Sequence, residues 1–374
     1  MYDNYRKILI LLLILAFIFS FFTLFISSDN SVSISAKSAA LYEPQTKKFV
    51  YTKNATQRLG MASTTKIMTA LIALERLDHN ETFEIDSRAV GIEGSSVYLK
   101  TGERMNTLDL VYSLLLQSAN DAAAALAYKI AGSIEEFASL MNEKASEINL
   151  KNTSFQNPHG LDDENHYTTA EDLALLTAEA LKNDTFRQIA SSYKKVVETN
   201  YTKRTLVNHN KLLKSYEGCI GVKTGYTKKC GRCLVSAAER DGLTLISVTI
   251  DAPDDWSDHK QMLDYGYSLL EAREVASIGE FSYDIPVLNG ENDYVRISNK
   301  DSFKFVCNKS DDEITATPKL SRYFSAPIEL GDILGEVIFT KNGIEIGRIP
   351  LTAESNVEAL KRKHKFLDIL RKTK

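Results

Sequence analysis

The stretch Ala62-Ser63-Thr64-Thr65-Lys66-Ile67-Met68-Thr69-Ala70 puts a serine hydroxyl and a lysine amine three residues apart at the head of an apolar run. Residues at i and i+3 share a helix face, so in a helix the Lys66 amine reaches the Ser63 hydroxyl. The run should be helical and central, because Ile67, Met68, Ala70, Leu71, Ile72, Ala73 and Leu74 leave no polar face between 64 and 77. A Ser/Lys pair at a buried helix end needs a reason. Desolvation lowers the pKa of a lysine toward values at which its neutral form is available. A neutral amine beside a serine is a base beside a nucleophile.

Spacing alone is weak support, since Ser191 with Lys194, Ser192 with Lys195 and Ser257 with Lys260 fit it too, and none of them opens an apolar helix. The surroundings of Ser63 carry the reading. Upstream, 38–43 and 47–52 flank Pro44-Gln45-Thr46 and read as two short strands around a turn. Downstream, 81–104 is a set of extended pieces punctuated by Gly91, Gly94 and Gly102. Leu108, Leu110, Val111, Leu114 and Leu115 mark a helix over 107–116. After the polar break Ser118-Ala119-Asn120-Asp121, an alanine-rich run to Ile130 marks another, and 134–149 is amphipathic. Residues 105–185 therefore read as a helical cluster inserted into a sheet, with Thr168-x-x-Glu171 as the capping box of a helix through Leu181.

Further on, Gly221-Val222-Lys223-Thr224-Gly225 and Cys233-Leu234-Val235-Ser236-Ala237 flank a turn, and 243–250 follows after Asp241-Gly242. Three antiparallel strands are the economical reading, closed by a helix over 258–272. From about 278 to 352 short strand-like runs alternate with Gly/Asn/Asp turns, which marks a separate small β domain, a spacer or a platform for a partner. The tail from Val357 sets Leu360, Leu367 and Leu370 at helical spacing among Lys361, Arg362, Lys363, Lys365, Arg371 and Lys372. It suits either an anionic membrane surface or a solvated basic end.

With 374 residues, 44% hydrophobic and 25% charged, the chain suits two or three globular domains. The net charge of -4 and the lack of a basic stripe with interleaved aromatics speak against nucleic acid as a partner. Ile8 to Ile26 runs without a charge behind Arg6 and Lys7. Its length favours an uncleaved membrane anchor over a signal peptide, with everything after Asn30 outside the cytoplasm; cleavage between Ser27 and Ala36, giving a secreted protein, is the alternative. Four cysteines make no disulfide framework at this size. Cys230-Gly231-Arg232-Cys233 has redox or half-metal-site spacing, but no second Cys/His pair accompanies it, so it reads as a turn and a strand position. Cys219 and Cys307 read as small buried or half-buried residues. His159 and His166 read as structural, since no ligand set surrounds them.

In order, Ser63-x-x-Lys66, Ser118-x-Asn120 and Lys223-Thr224-Gly225 form the motif set of penicillin-binding proteins and serine β-lactamases. Ser28-Asp29-Asn30 and Lys100-Thr101-Gly102 fit the second and third motifs but fail on order and setting. With the words around Ala62–Ala70, Asn157–Asp163 and Gly221–Tyr226, the chain resembles the D-alanyl-D-alanine carboxypeptidases of the low-molecular-weight penicillin-binding proteins, serine peptidase family S11. The resemblance spans about 36–275, and more loosely the β domain and tail.

It implies an α+β penicillin-binding-protein/β-lactamase-like fold, an antiparallel sheet packed with helices plus a helical subdomain, then a small all-β domain. The expected boundaries are 1–33 for stub, anchor and linker, 34–275 for the catalytic domain, 276–353 for the β domain and 354–374 for the tail. It implies that Ser63 attacks the terminal D-Ala-D-Ala bond of a peptidoglycan stem peptide while Lys66 takes its proton. Ser118 would relay a proton to the leaving nitrogen, and Asn120 would hold the substrate amide or the lysine. Lys223, Thr224 and Gly225 would receive the terminal carboxylate, and the backbone N–H groups of Ser63 and Tyr226 would form the oxyanion hole. β-Lactams would be covalent inhibitors, and no cofactor or metal is implied. A β-lactamase, a transpeptidase and a silent penicillin-binding scaffold are the rivals, the last disfavoured by intact Lys66 and Lys223.

Overall fold

The computed structural model describes residues 32–310 and 314–360. The hydrophobic run Ile8–Ile26 and the tail beyond Leu360 lie outside the described residues. Among the described residues no helix is long and apolar enough to cross a membrane. The chain divides into two compact units. The first holds residues through Tyr42, Lys48–Ala238 and Leu245–Gly266; the second holds Glu43–Lys47, Glu239–Thr244 and the chain from Tyr267.

In the first unit, strands β1 (Ser38–Glu43) and β2 (Lys48–Lys53) lead into a single 3-10 turn over Ala62–Thr65, which passes directly into helix α1 (Lys66–Arg76). As the apolar run required, every residue of α1 from Lys66 to Leu74 is buried. A small ladder of β3 (Thr82–Glu84) and β4 (Arg104–Asn106) precedes α2 (Thr107–Leu116), α3 (Asn120–Ala131) and α4 (Ile134–Glu147). Helices α5 (Ala170–Ala180) and α6 (Asp184–Ser191) follow, and α1 packs against α2, α3, α5 and α6. Alanines such as Ala122, Ala123, Ala124 and Ala127 let α3 lie close to its neighbours, with no exposed surface at any of the four.

The helix starts are set by side chains that take up orphan amides. Asn106 accepts from Asp109 N at 2.7 Å and Asn183 from Phe186 N at 3.0 Å. The cap of α5 is Thr169, which accepts from Asp172 N at 3.1 Å, one residue later than the expected Thr168. Thr168 is engaged elsewhere: its backbone bridges to Leu59, and its hydroxyl meets that of Thr153 at 2.8 Å.

A hairpin unread in the sequence, β5 (Lys194–Glu198) with β6 (Lys203–Val207), and the short helix α7 (Leu212–Ser215) come before the main sheet closes. The sheet is completed by β7 (Cys219–Thr227), β8 (Gly231–Arg240) and β9 (Leu243–Ile250), in the order β2-β1-β9-β8-β7. β7 is therefore an edge strand. Helix α8 (Asp255–Leu269) ends earlier than the periodicity suggested, because Leu270–Ala276 forms strand β10 against Phe303–Asn308 in the second unit.

That second unit is all β. Its six-stranded sheet closes over Val337, Phe339, Ile297 and Leu351, with Phe303 stacked on Phe339 at 4.5 Å between ring centroids.

Candidate active site

Ser63 lies in the 3-10 turn, partly exposed, and Lys66 opens α1 with no exposed surface. The residue before Ser63, Ala62, is left-handed at φ 47°, a conformation that costs a non-glycine residue energy and persists only when its surroundings hold it. Lys66 Nζ is 2.9 Å from Ser63 Oγ, 2.6 Å from Asn120 Oδ1 and 2.5 Å from the His159 carbonyl. Two of these partners, the amide oxygen and the carbonyl, can only accept. A neutral amine has two N–H bonds and one lone pair. With both N–H bonds directed at those acceptors, the lone pair faces the Ser63 hydroxyl.

Asn120 is fixed at its other end as well, donating through Nδ2 to the Glu93 carbonyl at 2.5 Å. Its own N–H donates to the Ser95 carbonyl at 2.7 Å. The loop 93–99 thus packs on the first turn of α3, and Gly94 is needed there, since a Cβ would lie 2.7 Å from Asn120 Nδ2. Ser118 is left-handed (φ 59°) and buried in the turn between α2 and α3. No hydrogen bond joins its hydroxyl to Lys66 or Lys223 among the described residues.

From the other side, edge strand β7 presents Lys223, whose Nζ donates to the Thr224 carbonyl at 2.8 Å and is 1% exposed. Gly225 faces the Ser63 turn so closely that a Cβ would lie 3.0 Å from Ser63 N and 3.2 Å from Ala62 Cβ. Tyr226, next along the edge, is 66% exposed. The three motifs, separate in sequence, meet here; Lys66 is the hub, touching the first and second and sensing the charge of the third.

Burial pushes Lys66 well below the ordinary lysine range, and the Lys223 charge pushes the same way while Asp121 opposes both. Lys223 is pushed down to about 7 by burial alone. His159 and His166 are driven down to about 3 and about 4, chiefly by burial, and are neutral rings.

Residues that pattern reasoning passed over also belong here. Asp121, with no exposed surface, accepts from Ser96 Oγ, Val97 N, Leu99 N and Ala122 N at 2.5, 3.2, 2.9 and 2.9 Å. It pins the loop that carries Tyr98, left-handed at φ 57° and 81% exposed. Arg204 holds the same loop through the Val97 carbonyl at 2.7 Å and pairs with the buried Glu103. His209 donates its amide to the Leu116 carbonyl, and its ring is held low by partial burial and by the nearby Lys223 charge. The only sequence signal for Asp121 was a charge in an otherwise alanine-rich helix; for His209 it was the polar triplet Asn208-His209-Asn210.

Cys230 and Cys233 are both free thiols, in the turn and in β8, with burial raising the pKa of each. Among the described residues no group of three or more His, Cys, Asp or Glu side chains is placed to hold a metal ion.

Residues 25–254 match the peptidase S11 family, described as D-alanyl-D-alanine carboxypeptidase. The chain belongs to that family. Residues 270–359 match the C-terminal domain of penicillin-binding protein 5. The carboxypeptidase DacF of Bacillus subtilis is 33% identical over 92% of this chain and 90% of its own length. Penicillin-binding protein 5 of Haemophilus influenzae superposes with a TM-score of 0.64 at 27% identity, covering 87% of this chain and 98% of that one. The DD-transpeptidase of Streptomyces K15 superposes at 0.61 with 33% identity, over 63% of this chain and 98% of its own. The fold is thus that of the penicillin-binding DD-peptidases, a mixed helix and sheet unit followed by an all-β unit.

Proposed function

We propose that this S11 enzyme is a penicillin-sensitive serine D-alanyl-D-alanine carboxypeptidase that removes the terminal D-alanine of peptidoglycan stem pentapeptides through an acyl-enzyme. One observation carries the mechanism: Lys66 Nζ is held by the Asn120 amide oxygen and the His159 carbonyl so that its remaining position faces Ser63 Oγ at 2.9 Å. The amine takes the hydroxyl proton as Oγ bonds to the penultimate D-alanine carbonyl. The tetrahedral oxygen then sits against the N–H groups of Ser63 and Tyr226, an arrangement supported by the approach of Gly225 to Ser63 N.

Collapse breaks the C–N bond, and Ser118 passes a proton to the departing D-alanine nitrogen. Water, deprotonated in its turn, cleaves the ester and frees the tetrapeptide and Ser63. Lys223 and Thr224 receive the substrate's terminal carboxylate, an assignment supported by a buried ammonium that donates to a single protein acceptor among the described residues. A β-lactam enters by the same route and stays as a long-lived ester.

Incubating the full chain in detergent with a diacyl-Lys-D-Ala-D-Ala tripeptide tests this directly. D-alanine release and stoichiometric labelling by a fluorescent penicillin are expected, both lost in Ser63→Ala; rapid penicillin turnover without D-alanine release would instead make it a β-lactamase. The likeness to a DD-transpeptidase keeps amine acceptors in view, and adding a D-amino acid to the same assay measures the partition.

The uncharged run Ile8–Ile26 behind Arg6 and Lys7 supports membrane anchoring with the catalytic unit on the extracytoplasmic face, and the basic tail supports contact with anionic lipid. Recovery of the full chain in the soluble fraction after cell lysis would overturn that assignment.

A further inference from the structure

We propose that His166 is a positioning residue for the oxyanion hole, acting through Thr65 on the peptide bond that joins Ala62 to Ser63. The inference rests on the reading of Ser63 N–H as an oxyanion donor. His166 is 4% exposed, and its side-chain hydrogen bonds run in one direction, toward the Ser63 turn. The Gln156 amide lies 2.9 Å from Nδ1. An amide N–H can only donate, so Nδ1 is the unprotonated nitrogen and the neutral ring carries its proton on Nε2. Nε2–H therefore donates to Thr65 Oγ1 at 2.7 Å, and the Thr65 hydroxyl donates its single proton to the Ala62 carbonyl, also at 2.7 Å.

That carbonyl and the Ser63 N–H are two ends of one planar trans peptide, pointing in opposite directions. Fixing the oxygen fixes where the N–H points. Ala62 is left-handed, so the peptide depends on its surroundings to keep this orientation. The loop carrying His166 closes on the same oxygen from a second side. A Cβ on Gly160 would lie 1.9 Å from Ala62 O and 2.8 Å from Thr65 Oγ1, leaving room only for glycine. The ring is kept in plane by an edge contact with Phe155, 5.9 Å between centroids at 74°. Each bond in the chain also polarises the next, which strengthens the terminal N–H as a donor.

The test uses the full chain and three variants: His166→Phe, which keeps the ring and removes both bonds; His166→Gln, which offers an acceptor and a donor on one amide; and Thr65→Val, which breaks the next link. The readouts are kcat and KM for D-alanine release, the acylation rate by penicillin, and affinity for a boronic acid analogue of the tetrahedral state. His166→Phe should lower kcat and acylation by about tenfold or more with KM changed by less than about twofold, and should weaken the boronate in proportion. His166→Gln should recover most of the loss, and Thr65→Val combined with His166→Phe should cost no more than the larger single change.

Unchanged acylation in either single variant, a loss confined to KM, or additive losses would each overturn the proposal. If His166→Phe does not fold, Thr65→Val against wild type decides alone by the same kcat and boronate criteria. Failure of wild type to release D-alanine would sink the carboxypeptidase reading instead, which keeps the two outcomes apart.

Discussion

Raising the pH should loosen substrate binding before it touches the chemistry. Lys223 sits 1% exposed on edge strand β7, and burial brings its pKa down from 10.5 to about 7. The role proposed for it as the carboxylate receptor requires the charged form. In the free enzyme the charged fraction falls tenfold per pH unit above the pKa, so KM should rise about tenfold near pH 8 and about a hundredfold near pH 9 relative to its acid plateau. Once a carboxylate is bound, the ammonium is stabilised and its pKa rises, so kcat should stay level over the same range while kcat/KM falls. Initial rates of D-alanine release over a pH series give both constants, and penicillin acylation gives an independent second-order rate. In Lys223→Arg the charge persists and KM should be flat, whatever its absolute value. A wild-type KM unchanged from about pH 6 to about pH 9 would refute the reasoning, because the charge of Lys223 would then not be what holds the substrate.

The same burial has a stability signature. Between about 7 and 10.5 the unfolded chain binds a proton at Lys223 that the native one does not, so wild type should gain a few kcal/mol as pH rises through that window. Lys223→Met should remove this slope and be the more stable protein near neutrality, while losing D-alanine release; urea unfolding at two pH values checks it. Gly160→Ala forces a Cβ to 1.9 Å from Ala62 O at a φ of 87°, and should abolish penicillin labelling and lower the Tm measurably. Arg204→Met leaves the buried Glu103 carboxylate without its cation, with Thr199 Oγ1 and the Lys100 amide still donating to it, and should cost about 3 kcal/mol by thermal denaturation. Adding Glu103→Gln should return part of that loss.

Much of this architecture is legible in the sequence, where local chemistry and burial agree. The apolar spacing that marked 107–116 gives helix α2 at Thr107–Leu116, and the all-apolar run after Ser63 is the buried α1. Disagreements arise where long-range contacts choose between equal local options. Thr168 and Thr169 each precede an acid at capping distance, and only the bridge from Thr168 to Leu59 hands the cap to Thr169. Leu270–Ala276 carries good helix formers but ends α8, because Glu271, Ala272 and Arg273 pair with Cys307, Val306 and Phe305, 32 to 36 residues on. The hairpin of β5 and β6 escaped because Lys194, Lys195, Lys203 and Arg204 mask its alternation. Within the site, motif order brought out Ser63, Lys66, Asn120 and Lys223. No spacing rule could have indicated that a backbone carbonyl at His159 holds the Lys66 amine, since any residue has one.

Two buried lysine amines oppose each other, and the fold tempers the conflict with one carboxylate. Burial and the charge of Lys223 both drive Lys66 down; Asp121 pulls it back. A base driven too low is available but feeble, and one left at its ordinary value is strong but protonated, so the counterweight serves the chemistry. Asp121 can exert it because it follows Asn120 in sequence, at the start of α3, where the first helical turn leaves amides for a carboxylate to accept. Its oxygens are also taken by Ser96, Val97 and Leu99. The strained loop around Tyr98 is therefore held by the same charge that opposes the downward push on the Lys66 amine. Order in that loop and basicity at Lys66 are two readings of one buried ion, so a change at position 121 must move both together.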